Sequence, residues 1–146
     1  MMMNMSQEEY KKYADTKAPK SNLWVNMIKA FLIGGLICTI GQGILDFYKS
    51  IGLQPDDAAT MTSVTLIFIS AVLTAFNVYD NIAKHGGAGT LVPITGFANA
   101  VVAPAMEYKS EGFITGVGAK MFTIAGPVIV FGTIASVIAG IVFLFL

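Results

Sequence analysis

Few side chains in this sequence are equipped for chemistry, and their types favour binding over bond-making. There is one histidine, His85, and one cysteine, Cys38, and every basic residue is Lys. That inventory removes most metal sites and most phosphoryl-transfer designs. No His-Glu-x-x-His or Gly-x-Ser-x-Gly run occurs, and no glycine loop ends in Lys followed by Ser or Thr. The polar residues inside apolar runs are Gln42, Asn77, Thr95 and Asn99, none of them a strong general base. The expectation is no enzyme, no catalytic residue, no bound metal and no cofactor. Cys38 lies within an apolar run and reads as a small buried hydrophobe.

The remaining ionisable groups stand at segment ends. Lys84 and His85 precede a glycine-rich run, and Glu107, Lys109 and Glu111 follow it. They are either solvated loop charges or a vestibule that draws in a charged solute and passes it to backbone dipoles.

The elements that must position these groups are apolar. Of 146 residues, 55% are hydrophobic and 12% charged, with a mean hydropathy of +0.69. A water-soluble domain carries roughly 25% charged residues, so this chain needs a non-aqueous neighbour. Net charge is zero and Arg is absent, which argues against a nucleic-acid partner. Residues 1–22 form a polar segment unlike a secretory signal, and the cluster Met1, Met2, Met3 and Met5 leaves the start codon ambiguous.

Residues 23–146 read as a membrane-embedded helical domain with helices at about 23–45, 58–79 and 121–146 and a broken segment at 86–106. About 20 apolar residues cross a hydrocarbon core of about 30 Å. Trp24 suits the headgroup belt, and Lys29 can snorkel from near its helix end. Lys11, Lys12, Lys17, Lys20 and Lys29 crowd the entry to the first helix, whereas the loop from Asp46 to Asp57 holds three acids and one Lys. The positive-inside rule then puts the N-terminus in the cytosol. Gly34, Gly35, Gly41 and Gly43 offer a surface for close helix packing. Phe31-Leu32-Ile33-Gly34-Gly35 followed by Gly41 is faintly echoed by Phe122-Thr123-Ile124-Ala125-Gly126 followed by Gly132.

The segment His85-Gly86-Gly87-Ala88-Gly89-Thr90-Leu91-Val92-Pro93-Ile94-Thr95-Gly96-Phe97-Ala98-Asn99 is apolar yet a poor helix. Gly costs about 1 kcal/mol and Pro about 3 kcal/mol per helical position. An extended or broken chain is expected, followed by a short helix from Ala98 to Met106. Such backbone survives at membrane depth only where protein buries it or water lines it. Gly86, Gly87, Gly89, Thr90, Pro93, Thr95, Gly96 and Asn99 are therefore candidates to line a solute pathway, the alternative being a tight re-entrant turn that seals the bundle. If the segment is re-entrant, the C-terminus lies opposite the N-terminus; if it crosses, both lie on one side. The fold class is all-α, a polytopic membrane bundle with one glycine- and proline-interrupted segment.

This central run, with Glu107-Tyr108-Lys109-Ser110-Glu111-Gly112, Ile124-Ala125-Gly126-Pro127-Val128-Ile129-Val130-Phe131-Gly132 and the stretch from Phe31 to Gln42, resembles the stage V sporulation protein AC family. The sister AE proteins have a similar core. The resemblance covers nearly all of the chain beyond its polar start. It implies a subunit of a complex in the inner membrane of the forespore and spore. That complex moves dipicolinic acid, with calcium, during sporulation and germination. It also implies an AE-like membrane partner, a soluble AD-like subunit and mechanosensitive gating, and it carries over no catalytic residue. On this reading, replacing Pro93 or Gly96 by Leu should block dipicolinate accumulation in spores, measured by terbium fluorescence, while the complex still assembles.

Overall fold

A computed structural model describes residues 7–17 and 22–146; the Met1–Met5 cluster and Lys20 lie outside them. The elements are α1 (Gln7–Lys17), α2 (Leu23–Ser50), α3 (Pro55–Ala75), α4 (Val78–Gly86), α5 (Ala88–Leu91), α6 (Ile94–Glu107) and α7 (Ala119–Phe145). A 3₁₀ turn (Tyr108–Glu111) and a π-helical turn (Phe113–Gly118) join α6 to α7. No strand occurs among the described residues.

Among the described residues three stretches are long and apolar enough to cross a membrane: Leu23–Ser50, Pro55–Ala75 and Phe113–Phe145. The last begins in the π-helical turn and continues unbroken into α7. It carries Pro127 in its interior, where the missing N–H removes one helical hydrogen bond. The segment from 78 to 107 contains no such helix, because it is divided into α4, α5 and α6.

Local chemistry sets the boundaries. α2 ends in a Schellman motif: Gly52 takes φ +94, its N–H donates to Lys49 O at 3.0 Å, and Leu53 N–H donates to Tyr48 O at 3.3 Å. Pro55 then supplies the preset φ of a first helical position, and Asp56 and Asp57 complement the N-terminal dipole of α3. Four residues separate α2 from α3, so the two pack as an antiparallel pair, tied by Tyr48 Oη to Thr65 Oγ1 at 2.8 Å. The apolar run continues to Tyr79, but α3 stops at Ala75. Asn77 adopts a left-handed conformation (φ 57, ψ 20), which Asn tolerates better than most residues, and the chain changes direction there.

The interrupted segment has two breaks. Gly87, at φ +48 and ψ −124, separates α4 from α5, and Pro93, at ψ 161, separates α5 from α6. The helix after Pro93 starts at Ile94, four residues before the short helix expected from composition. Ser70 bonds to Thr95 and Thr74 to Asn99, so a constant offset of 25 residues relates α3 to α6. A constant positive offset means the two helices run parallel. α6 therefore returns toward the C-terminal end of α3 and does not pass on beside its beginning.

α5 lies on α2 at close range. A Cβ on Gly89 would collide with the carbonyl of Ala30, and the backbone of Gly89 also limits Gly34, where a Cβ would stand 3.1 Å from Gly89 Cα. This is small-residue packing in which backbones meet without intervening side chains. Gly43, by contrast, faces open space. Gly89→Ala should lower stability by about 1–3 kcal/mol or abolish folding. Gly43→Ala should leave it unchanged or raise it by about 0.5–1 kcal/mol. Thermal unfolding of both variants in detergent checks the contrast.

Candidate functional site

Where the segment breaks, a set of hydroxyls closes over its exposed backbone. Thr90 O, in the last turn before Pro93, accepts from Tyr79 Oη at 2.8 Å. The same phenol meets Thr95 Oγ1 at 3.0 Å, where the threonine hydroxyl supplies the proton for the second bond. Ser70 Oγ donates to Thr95 O at 2.6 Å. Thr74 Oγ1 donates to Ser70 O at 2.7 Å and touches the Asn99 side-chain amide at 2.8 Å. Thr90 Oγ1 reaches back to Gly87 O at 2.9 Å. Ser70, Thr74, Tyr79, Thr90 and Thr95 are all buried. Among the described residues no buried side-chain polar atom lacks a partner.

Elements far apart in the chain build this cluster. α3 contributes Ser70 and Thr74, one helical turn apart and so on one face. α4, redirected by Asn77, brings Tyr79 underneath. Gly86 is buried because Thr90 and Ile33 of α2 press on it. Gly96 admits no side chain: a Cβ there would strike the carbonyls of Thr90 and Leu91.

Of the pathway candidates, Gly86, Thr90, Thr95 and Gly96 lie in this packed interior, and Asn99 is half-buried beside Thr74. Gly89 is wedged against α2, Gly87 is exposed at the first break, and Pro93 caps α6. Within one chain their hydroxyls bond to one another and to the backbone. Gly96→Leu, expected above to spare assembly, instead drives carbon into two backbone carbonyls and is a folding defect. Cys38 also departs from expectation: it is exposed on the outer face of α2.

The charged candidates come to one end of the bundle but separate into two clefts. Lys84 and His85 face the start of α2 across a cavity of about 290 Å³. Glu107 joins Asp80, Asn77 and Thr74 around another of about 350 Å³. Lys109 and Glu111 are exposed on the 3₁₀ turn. Lys120 stacks on Tyr108 with its ammonium 4.1 Å from the ring centroid, fixing the turn to the start of α7.

Sequence reasoning missed Ser70, Thr74 and Tyr79. The legible signal was the four-residue spacing of two hydroxyls in an otherwise apolar helix; no signal identified Tyr79 as their partner. Tyr79→Phe leaves Thr90 O without its buried donor, and Ser70→Ala removes the bond to Thr95 O. Each should cost about 1–3 kcal/mol. Both act on Thr95, so the double variant should lose less or more than the sum, by at least about 0.5 kcal/mol. Chemical unfolding of the two single variants and the double variant measures that coupling.

A family model described as SpoVAC/SpoVAEB sporulation membrane protein matches residues 26–142. Stage V sporulation protein AC of Bacillus subtilis (strain 168) is 48% identical over 141 residues, covering 96% of this chain and 94% of that protein. No solved structure matches the chain. With the three apolar helices, the family match makes this a membrane protein with a role in sporulation. The chain belongs to the SpoVAC/SpoVAEB family of sporulation membrane proteins.

Proposed function

We propose that the chain is a membrane subunit of a hetero-oligomeric channel that moves dipicolinic acid, with its calcium, across the spore inner membrane in sporulation and germination. The observation that carries this reading is the unpartnered second half of α7. Residues 127–146 are exposed throughout, and a Cβ on Gly132 or Gly140 would meet nothing within 4 Å. Gly132, Ser136 and Gly140 recur every four residues, a spacing that brings helix backbones together in lipid. A helix apolar on all sides and detached from its own bundle suits burial in an assembly. The AE-like membrane protein implied by the family resemblance is the partner of choice, with a soluble AD-like subunit attached.

In this reading α2, α3 and α7 cross the bilayer, while residues 78–107 enter and leave on one side. The lysine bias puts the N-terminus in the cytosol and, with three crossings, the C-terminus on the other face. The solute suits the sparse charge. Dipicolinate is a dianion, but its one-to-one calcium chelate is neutral, and a strongly cationic pore would retain the free acid. Glu107, Lys109 and Glu111 give the entrance both signs of charge.

One observation favours a second reading, a structural or tension-sensing subunit that touches no solute. Thr90 and Thr95 are buried and committed to internal bonds, so a single chain offers them to no passage. Liposomes loaded with calcium dipicolinate and carrying this chain with its AE-like partner separate the two. The channel reading expects release on osmotic downshift. It also expects Gly132→Leu with Gly140→Leu to weaken partner capture about tenfold, as loss of 1–2 kcal/mol of helix contact would. A co-purifying pair that stays sealed overturns conduction and leaves the non-conducting role.

A further inference from the structure

We infer that the cleft between the start of α2 and the end of α4 binds the phosphate of an anionic phospholipid. The reading stands apart from the conduction proposal and assigns Lys84 and His85 to lipid, not to solute. The cleft measures about 290 Å³, and its walls differ in character. α2 contributes Leu23, Met27 and Ala30, with Asn26 as the one polar residue among them, while the end of α4 contributes the hydrogen-bond donors Lys84 and His85. A free anion has no use for the apolar wall, and a purely apolar ligand has none for the ammonium. An amphiphile with an anionic head uses both.

Position supports the same ligand. Leu23 opens one of the three helices able to span a membrane, and Trp24 beside it is 73% exposed. Trp in that setting marks headgroup depth. Basic pockets between spanning helices are a recurrent form of headgroup site. Lys84 also lies in the last turn of α4, where a cation complements the helix dipole. That accounts for its sign but not for the apolar residues of α2 that line the same cleft. Lys84 Nζ donates to Asn81 Oδ1 at 3.1 Å, and an ammonium has three protons, so it can hold Asn81 and a phosphate oxygen together. The carboxylates Asp80 and Glu107 line the other cavity and leave this cleft to the two bases.

The test is native mass spectrometry of the full chain released from mixed micelles of phosphatidylglycerol and phosphatidylcholine. Phosphatidylglycerol should be retained over phosphatidylcholine by about fivefold or more, the factor expected for each cation near an anionic headgroup. Lys84→Gln with His85→Gln should bring the ratio close to unity. Both side chains are exposed, so the double variant should fold, and an unchanged melting temperature verifies it. Lys49→Gln, at the far end of α2, should keep the preference. Equal retention of the two lipids by the unaltered chain overturns the inference. So does an undiminished preference in the double variant, or displacement of the lipid by millimolar inorganic phosphate, which would assign the site to free anions.

Discussion

Backbone carbonyls freed by a break in a helix must find donors, and in lipid the donors must come from the protein. Here that requirement falls on Thr90 O beside Pro93, and Tyr79 meets it. Much of the surrounding architecture serves that one contact. α3 must end early enough for Asn77 to turn the chain, and α4 must then carry α5 to where Thr90 O meets Tyr79. Ser70 then holds Thr95 O, which keeps α6 parallel to α3. The glycines in this region answer a steric counterpart of the same demand. Gly89 and Gly96 sit where backbone meets backbone and any side chain would separate the partners.

Much of this was legible in the sequence. Long runs without Asp, Glu or Lys announced α3 and α7, and Gly and Pro density announced a break between them. The boundaries were less visible. Nothing in the run to Tyr79 favours a stop at Ala75 over one four residues later, because the left-handed turn at Asn77 depends on where α4 has to go. The hydroxyl cluster was half visible. Thr95 and Asn99 stood out as polar residues at depth, whereas Ser70 and Thr74 looked like ordinary helical residues able to bond their own preceding carbonyls. Their pairing with residues 25 positions away is a tertiary fact. Cys38 shows the same limit in reverse, since an apolar neighbourhood in sequence does not say which face of a membrane helix turns inward.

The faint echo between the first and last spanning helices has different uses in the two places. Gly34 and Gly41 face Gly89 and Leu66, so α2 uses these two small residues within the chain. In α7 the corresponding Ala125 is buried, but Gly132 faces open space. One helix therefore lies against the bundle by one face, while the other touches it only near its beginning.

The shortness of α6 bears on how the chain is made. Fourteen residues of helix reach about 21 Å, less than the thickness of the hydrocarbon layer. Leaving the ribosome, this piece has neither the length to be handed to the bilayer as a span nor the partners that Thr95 O and Asn99 find in Ser70 and Thr74 of α3. It has to wait for α2 and α3, already inserted as a hairpin, to provide a docking surface. Biogenesis thereby acquires an order, with the interrupted segment folding second onto a scaffold that precedes it in translation.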